Sequence, residues 1–331
     1  MKALVTGGFG FIGSHLVERL LREGCQVVVL DNLSTGCSKN LGGVADHPRL
    51  QAIEADVTQS SAIQRYFEGV DVVFHLAALA DIVPSIQRPM DYYGANVTGT
   101  ITVLEAARAA DVKRLIYAAS SSCYGIPETV PTPETAPAKP EYPYALTKYL
   151  GEQLVLHWGK VYKMQPLSLR LFNVYGPRAR TTGTYGAVMG VFLAQKLANR
   201  PLTIVGDGTQ RRDFTYVTDV VEAFWRGCQS DLQTDVLNVG SGGTYSVNHL
   251  ADLVGGPRVH IPKRPGEPEC TFADITKIRR LLGWEPQVSF ESGVRQMLDR
   301  IEDWSDAPVW TPDAIASATQ DWFHYLSGAA R

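Results

Sequence analysis

Tyr144 and Lys148 stand four residues apart in Tyr144-Ala145-Leu146-Thr147-Lys148, within a stretch whose apolar spacing predicts a helix over Pro143–Trp158. Four residues make about one turn, so phenol and ammonium share a face. A free phenol titrates near pH 10 and is a poor base at neutrality. A neighbouring cation favours the phenolate and draws that value down, so the pair could take a proton from a hydroxyl. Ser120 supplies a hydroxyl partner. It follows an apolar strand predicted over Arg114–Ala119 and opens the run Ser120-Ser121-Ser122-Cys123-Tyr124-Gly125. Tyr-x-x-x-Lys alone is also what a solvated helix face shows. The strand-end serine gives it weight, because ligands bind at the carboxyl edge of parallel sheets.

A second group of residues is suited to binding. Gly7-Gly8-Phe9-Gly10-Phe11-Ile12-Gly13 lies between a strand, Lys2–Thr6, and a helix predicted over Ser14–Glu23. Gly7, Gly10 and Gly13 permit a tight turn, close backbone approach to a pyrophosphate, and close packing of helix on strand. The helix start, near Phe11 and Ile12, offers amide donors to phosphate. Asp31, followed by Asn32, closes the second strand (Gln26–Leu30), where a carboxylate accepts from ribose hydroxyls. An acid there repels a 2′-phosphate, which favours NAD over NADP. Asp56-Val57 ends the third strand (Leu50–Ile53), where a carboxylate can meet an adenine amino group. Leu76-Ala77-Ala78 ends the fourth (Val70–Leu76) with small residues that let backbone approach a cofactor. His75 beside them reads as a packed core histidine.

These groups need a frame. Strands alternate with helices (Asn96–Ala110, Pro143–Trp158) through a sixth strand at Pro166–Phe172, the rhythm of an α/β, Rossmann-type doubly wound parallel sheet. Residues 1–175 are expected to form the NAD-binding domain. Residues 176–331 are expected to form a smaller α+β substrate domain, interleaved with the first by elements near 213–240. Its helices read at Val188–Ala198, Val217–Gln229, Val247–Leu253, Thr276–Leu281 and Phe290–Glu302, and its strands at Leu202–Ile204, Asp235–Val239 and Arg258–His260. The tail after Asp303 carries aromatics that pack down without an assigned role.

Composition narrows the function. The 331 residues carry 31 basic and 34 acidic side chains, a net charge of −3, with no block of like sign. A nucleic-acid partner is not expected, and an anionic substrate must be held by a few placed groups. The scattered Cys25, Cys37, Cys123, Cys228 and Cys270 suggest neither a disulfide framework nor a metal site. There is no signal-like start and no apolar run near the ~20 residues of a membrane span, so a cytoplasmic protein without a membrane partner is expected.

With these landmarks in order, and with Arg170-Leu171-Phe172-Asn173-Val174-Tyr175-Gly176-Pro177-Arg178, Arg212-Asp213-Phe214 and Arg264-Pro265-Gly266-Glu267, the chain resembles the extended short-chain dehydrogenases/reductases. Within them it resembles the NAD-dependent UDP-hexose 4-epimerases, from Met1 to about Glu302. The resemblance implies that Tyr144 is the base, that Lys148 holds the nicotinamide ribose, and that Ser120 bonds the sugar oxygen. It implies that Asn96 lines the cofactor pocket, that Asn173 meets the diphosphate or sugar, that Arg212 and Arg264 clamp the diphosphate, and that Glu267 holds the nucleotide ribose. A guanidinium suits the clamp because its planar fork pairs two phosphate oxygens. Ser121, Ser122, Phe172, Val188, Met189, Ile204, Phe214 and Thr271 complete the substrate residues it implies.

Three reactions share this scaffold, and all begin with hydride removal at carbon 4. Dehydratases of the family follow the strand-end hydroxyl residue with an Asp-Glu pair, and its decarboxylases carry a glutamate in the same stretch. Here Ser121 and Ser122 occupy those places and offer no carboxylate, which favours the epimerase. Asp31 argues against an NADPH-driven reductase. Thr271, seven after Arg264, is small enough to leave room for an N-acetyl group. The loop Asp81-Ile82-Val83-Pro84-Ser85 lacks the lysine of some glucose/galactose epimerases. UDP-glucose/galactose, UDP-N-acetylglucosamine/galactosamine and UDP-glucuronate therefore stay open, as does the base. A non-catalytic dinucleotide-sensing protein is the rival class. The family also implies a homodimer through the 96–110 and 144–158 helices, with Leu104, Leu150, Leu154 and Trp158 facing either a partner or the core.

Overall fold

Lys2–Thr6 (β1), Gln26–Asp31 (β2), Leu50–Glu54 (β3), Val72–His75 (β4), Arg114–Ser120 (β5), Gln165–Leu171 (β6) and Asp235–Val239 (β7) hydrogen-bond into one parallel sheet in the computed structural model, which describes residues 1–180 and 187–327. The central strands are buried almost end to end, as expected when helices cover both faces of a parallel sheet. The order is β3-β2-β1-β4-β5-β6-β7, so the winding reverses between β1 and β4. There Thr6 pairs with His75, and the loops that start at Gly7 and Leu76 leave side by side. That crevice is the expected ligand site of such a sheet.

One face is covered by the helices Phe11–Arg22 and Val217–Gln229, whose Leu16, Leu20, Val220 and Phe224 pack with Phe74, Ile116 and Leu167. The other is covered by Gly99–Ala109 and Pro143–Tyr162, whose Val103, Leu104 and Val155 pack with Leu4, Val73 and Leu115. A third core, with Met189, Phe192, Ile204, Phe214, Leu250 and Phe290, lies beyond the carboxyl edge. Around it Leu202–Val205 pairs with Arg258–Ile261, Arg211–Arg212 with Tyr245–Ser246, and Val174–Tyr175 with Thr215–Tyr216.

Several elements differ from the sequence reading. The first helix starts at Phe11 with Gly10 as its N-cap. Ser14 does not cap it, because its hydroxyl bonds back to the Phe11 carbonyl inside the first turn. The third strand ends at Glu54, two residues before Asp56. Asn96 lies in a widened π turn, Gly94–Thr98, that joins Pro89–Tyr93 to Gly99–Ala109. The last helix of the substrate region stops at Leu298 and a short 3-10 turn, Ile301–Trp304, follows. Ile82–Gln87, Pro312–Ala318 and Gln320–Leu326 are helices that the spacing did not reveal.

Candidate active site

The glycine turn lies against the end of β4. Gly7 has φ +73°, and a Cβ there would stand 2.8 Å from the Ala77 nitrogen; at Gly13 it would stand 2.1 Å from the Gly7 carbonyl. Only bare backbone fits, and the helix start at Phe11 and Ile12 carries no side-chain cap. The Thr6 hydroxyl accepts from the Leu76 and Ala77 amides, both at 3.1 Å, which ties the two crevice loops together. His75 is wholly buried between Thr6 and Thr100, and burial pushes its pKa down to about 3. It is a neutral core residue.

Asp31 accepts from the Phe9 amide at 3.0 Å and the Leu33 amide at 2.8 Å. Burial outweighs those bonds and leaves its pKa raised. Asn32, exposed, donates to Asp56 at 3.2 Å. Burial pushes Asp56 upward, but bonds from the Thr58 amide and hydroxyl and from Asn32 win, leaving it below the usual value. Asn32 and Asp56 share a groove with Gln59, Arg65 and Tyr66, while Val57 turns inward. Asn96 is spent internally. Its amide accepts from the Leu79 nitrogen at 2.8 Å and donates to the Leu79 carbonyl and the Thr147 hydroxyl, both at 3.0 Å. It fixes the chain after the half-buried Leu76-Ala77-Ala78 to the helix of Tyr144 and Lys148.

That helix lies close on β5 because residue 151 is glycine; a Cβ there would fall 2.4 Å from the Tyr117 hydroxyl. The Tyr144 hydroxyl donates to Ser120 Oγ at 3.3 Å, and Ser120 Oγ lies 2.8 Å from Ser122 Oγ. Ser121, half-buried, begins the 3-10 turn Ser121–Tyr124. The lowering expected for the phenol is not produced by the protein's own groups. Burial pushes Tyr144 above its ordinary value, the Ser120 bond pulls the other way, and the Asp81 carboxylate adds to the rise. Asp81 is itself paired with Arg180 at 2.6 Å. Lys148 is 4% exposed, with Nζ 4.4 Å from the Tyr117 ring centre. Burial takes its pKa down to about 7 against the pull of Glu152. Near neutrality the amine is therefore partly uncharged, and its field on the phenol is weak.

Glu152 is a site residue the sequence reading missed, although it lies one turn beyond Lys148. It accepts from Arg170 Nη2 at 2.6 Å and Nε at 2.9 Å, and from the Ser168 hydroxyl at 2.9 Å. Arg170 also donates to the Tyr124 hydroxyl, so this buried network braces the floor beneath Tyr144 and Ser120. Tyr142 was missed too. Its ring stacks on Tyr144, with centres 6.3 Å apart.

Across the crevice, Glu267 lies between the two arginines. Arg264 Nη1 is 3.0 Å from one carboxylate oxygen and Arg212 Nη2 is 3.5 Å from the other. Burial lowers Arg212 below its ordinary value, with Glu267 opposing. Asn173 accepts from the Thr271 hydroxyl at 2.8 Å, so these two share one polar spot. Ile204 and Phe172 need correction as ligand contacts. Ile204 is 0% exposed in the third core and Phe172 packs against Tyr124 in the first, so neither side chain meets the crevice. Phe214 stacks on Phe290, with centres 4.9 Å apart, and is buried as well. Met189, with the half-buried Val188 before it, opens the helix Val188–Leu197 and borders a cavity with Tyr175, Arg180, Met297 and Trp304.

Residues 3–240 match the model of the NAD dependent epimerase/dehydratase family. The chain belongs to that family. A UDP-glucose 4-epimerase of Mycolicibacterium smegmatis is 36% identical over 308 residues, 90% of this chain and 98% of that protein. Among solved structures, the UDP-N-acetylglucosamine 4-epimerase of Methanobrevibacter ruminantium, in complex with UDP-N-acetylmuramic acid, superposes with a TM-score of 0.86. It is 31% identical and covers 92% of this chain and 98% of its own. The UDP-glucuronic acid 4-epimerase of Bacillus cereus, in complex with UDP-glucuronic acid and NAD, gives 0.84 at 32% identity, over 91% of this chain and 99% of its own.

As an enzyme of the NAD-dependent epimerase/dehydratase family, the chain uses NAD, and its crevice fits that group. A bare glycine turn faces the carboxyl edge, a helix start has amides free of side-chain caps, and a buried carboxylate closes β2. Among the described residues, no helix is long and apolar enough to cross a membrane.

Proposed function

We propose that this enzyme is a nucleotide-sugar 4-epimerase acting on UDP-hexoses, the glucose/galactose pair and its N-acetylated counterpart. One observation carries the reading. The Tyr144 phenol lies 3.3 Å from Ser120 Oγ, which is 2.8 Å from Ser122 Oγ, so the turn after β5 brings hydroxyls rather than carboxylates to the phenol. Elimination at carbon 6 needs a second acid and base, and a serine pair has neither proton affinity nor charge for it.

Bound NAD supplies what the side chains cannot, a hydride acceptor and donor at carbon 4. Tyr144, as the phenolate, would take the proton of the carbon 4 hydroxyl and return it to the same oxygen after the 4-keto sugar has turned its other face. Ser120 bonds that oxygen throughout, and Ser122 orients Ser120. Lys148 would hold the cofactor ribose, and the positive nicotinamide ring beside Tyr144 would favour the phenolate. Arg212 and Arg264 keep the diphosphate fixed while the hexose rotates, with Glu267 spacing the two guanidiniums until phosphate oxygens share them. Asn173 and Thr271 border the diphosphate end. Relatives acting on glucose, N-acetylglucosamine and glucuronate share the architecture, and the small Thr271 supports acceptance of an N-acetyl group.

Purified protein incubated with UDP-galactose, UDP-N-acetylgalactosamine or UDP-glucuronate, with no added cofactor, is expected to form the 4-epimer of at least one of the first two. Tyr144→Phe should lower the rate by at least ~10²-fold while the protein still melts cooperatively and retains NAD. No turnover of any UDP-hexose, even with NAD supplied, would refute the assignment. We further propose a homodimer, built on the outward faces of Gly99–Ala109 and Pro143–Tyr162. Leu104 belongs to the second core and takes no part in that surface.

A further inference from the structure

The tail crosses the cleft. Thr311 caps the short helix Pro312–Ala318, and Gln320–Leu326 follows directly. This last helix is tied to both walls. Gln87 Nε2, at the end of Ile82–Gln87 on the dinucleotide side, donates to Asp321 Oδ2 at 2.8 Å. Trp322 Nε1 donates to the carbonyl of Pro265, beside Arg264, at 2.7 Å. The indole, 4% exposed, lies 6.4 Å from the Tyr142 ring, which stacks on Tyr144. On its other side the Arg264 guanidinium sits 5.4 Å over the same indole.

From phenol to phosphate-clamping arginine the wall is therefore continuous: Tyr144, Tyr142, Trp322, Arg264. A hexose with its carbon 4 hydroxyl at Tyr144 and its anomeric diphosphate at Arg212 and Arg264 spans the same interval. We propose that Trp322 is a positioning residue that sets sugar specificity by holding Tyr142 and Arg264 at the two ends of the sugar subsite, and that the helix Gln320–Leu326 is the element that brings it there. The proposal rests on the nucleotide-sugar reading above. It concerns a part of the chain beyond residues 3–240, which match the family model. The buried indole fixes Tyr142 at one end and Arg264 at the other, and so limits the substituents that the cleft between them admits.

Steady-state kinetics on UDP-galactose and UDP-N-acetylgalactosamine, with UDP binding measured in parallel, tests this. Trp322→Ala is expected to raise KM for UDP-galactose roughly tenfold. It should shift the kcat/KM ratio toward the bulkier N-acetylated sugar, and lower UDP affinity by less than the KM effect, because Arg264 loses its indole contact while Arg212 keeps its place. Trp322→Phe should restore most of the KM. Gln87→Ala, which frees Asp321 without opening a core cavity, should raise KM in the same direction by about two- to threefold, and it keeps the test valid if Trp322→Ala does not fold. With the unaltered enzyme active, unchanged KM and sugar preference in Trp322→Ala, or in Gln87→Ala where the first variant is unfolded, overturn the proposal alone. A UDP affinity that falls by as much as the KM rises, with unchanged sugar preference, also overturns it. If the unaltered enzyme turns over no UDP-hexose, the nucleotide-sugar reading fails and this proposal falls with it.

Discussion

Burial acts in opposite senses on Tyr144 and Lys148, one turn apart on their helix. It raises the phenol of Tyr144 and lowers the ammonium of Lys148, each toward its neutral form. Lys148 has a folded pKa of about 7 against an ordinary 10.5. Between those values the unfolded chain carries a proton that the folded chain lacks. Stability contributed by this group therefore rises with pH across that window and is lowest below about pH 7. Lys148→Met removes the buried amine. Its melting temperature should exceed that of the unaltered enzyme at pH 7, and the difference should shrink or reverse by pH 9.5. Activity should fall roughly 10²-fold or more. Parallel melting curves for both proteins that shift equally with pH would show that Lys148 is charged in the fold. Tyr144, Lys148 and Ser120 were legible from sequence because spacing and strand-end position carry them. Glu152 had a local signal, one turn past Lys148, that competes with every other charged helix residue. Trp322 had none, since only the tertiary fold brings it to Tyr142.

At the scale of elements, the parallel strands were legible because a strand covered on both faces reads as an apolar run. The glycine turn was legible because each glycine answers a steric demand. The short helices Ile82–Gln87 and Gln320–Leu326 were not, since about two turns give too little periodicity to separate helix from loop. The π turn at Gly94–Thr98 was read as plain helix because an inserted residue shifts the spacing only locally. The glycines themselves divide into those that must be bare and those that need not be. A Cβ at Gly13 would meet the Gly7 carbonyl at 2.1 Å, whereas one at Gly94 meets nothing within 4 Å. Gly13→Ala must push the helix Phe11–Arg22 off the turn. It should cost about 1–3 kcal/mol and release NAD, seen as a lower 260-to-280 nm absorbance ratio in the purified protein. Gly94→Ala, on backbone already helical, should keep its NAD and gain about 0.4–1 kcal/mol. Equal NAD content in both variants would show that the glycine turn does not shape the cofactor site.

For the molecule as a whole, the open question is which surfaces face water. Gly99–Ala109 and Pro143–Tyr162 use Val103, Leu104 and Val155 against the sheet, yet Ile101, Leu146, Val161 and Tyr162 stay exposed. The outward seam between them is organised. Trp158 Nε1 donates to Glu105 at 2.9 Å, Arg108 lies 5.2 Å over the Tyr162 ring, and the Trp158 and Tyr162 rings are 5.4 Å apart. We propose that this seam pairs with the same seam of a second copy about a two-fold axis. The same long helix carries Tyr144 and Lys148, so pairing would stiffen the element that positions the chemistry. Sedimentation of the unaltered protein at micromolar concentration should give twice the chain mass. Ile101→Lys combined with Tyr162→Lys places cations on a surface that would otherwise be dry at the contact. That variant should sediment as a folded monomer that keeps its NAD and loses part of its thermal stability, because the bundle no longer braces the catalytic helix. A chain-mass species for the unaltered protein at every concentration would leave those apolar residues as ordinary exposed surface, and the helix of Tyr144 would then be held by its own chain's sheet and neighbouring helices.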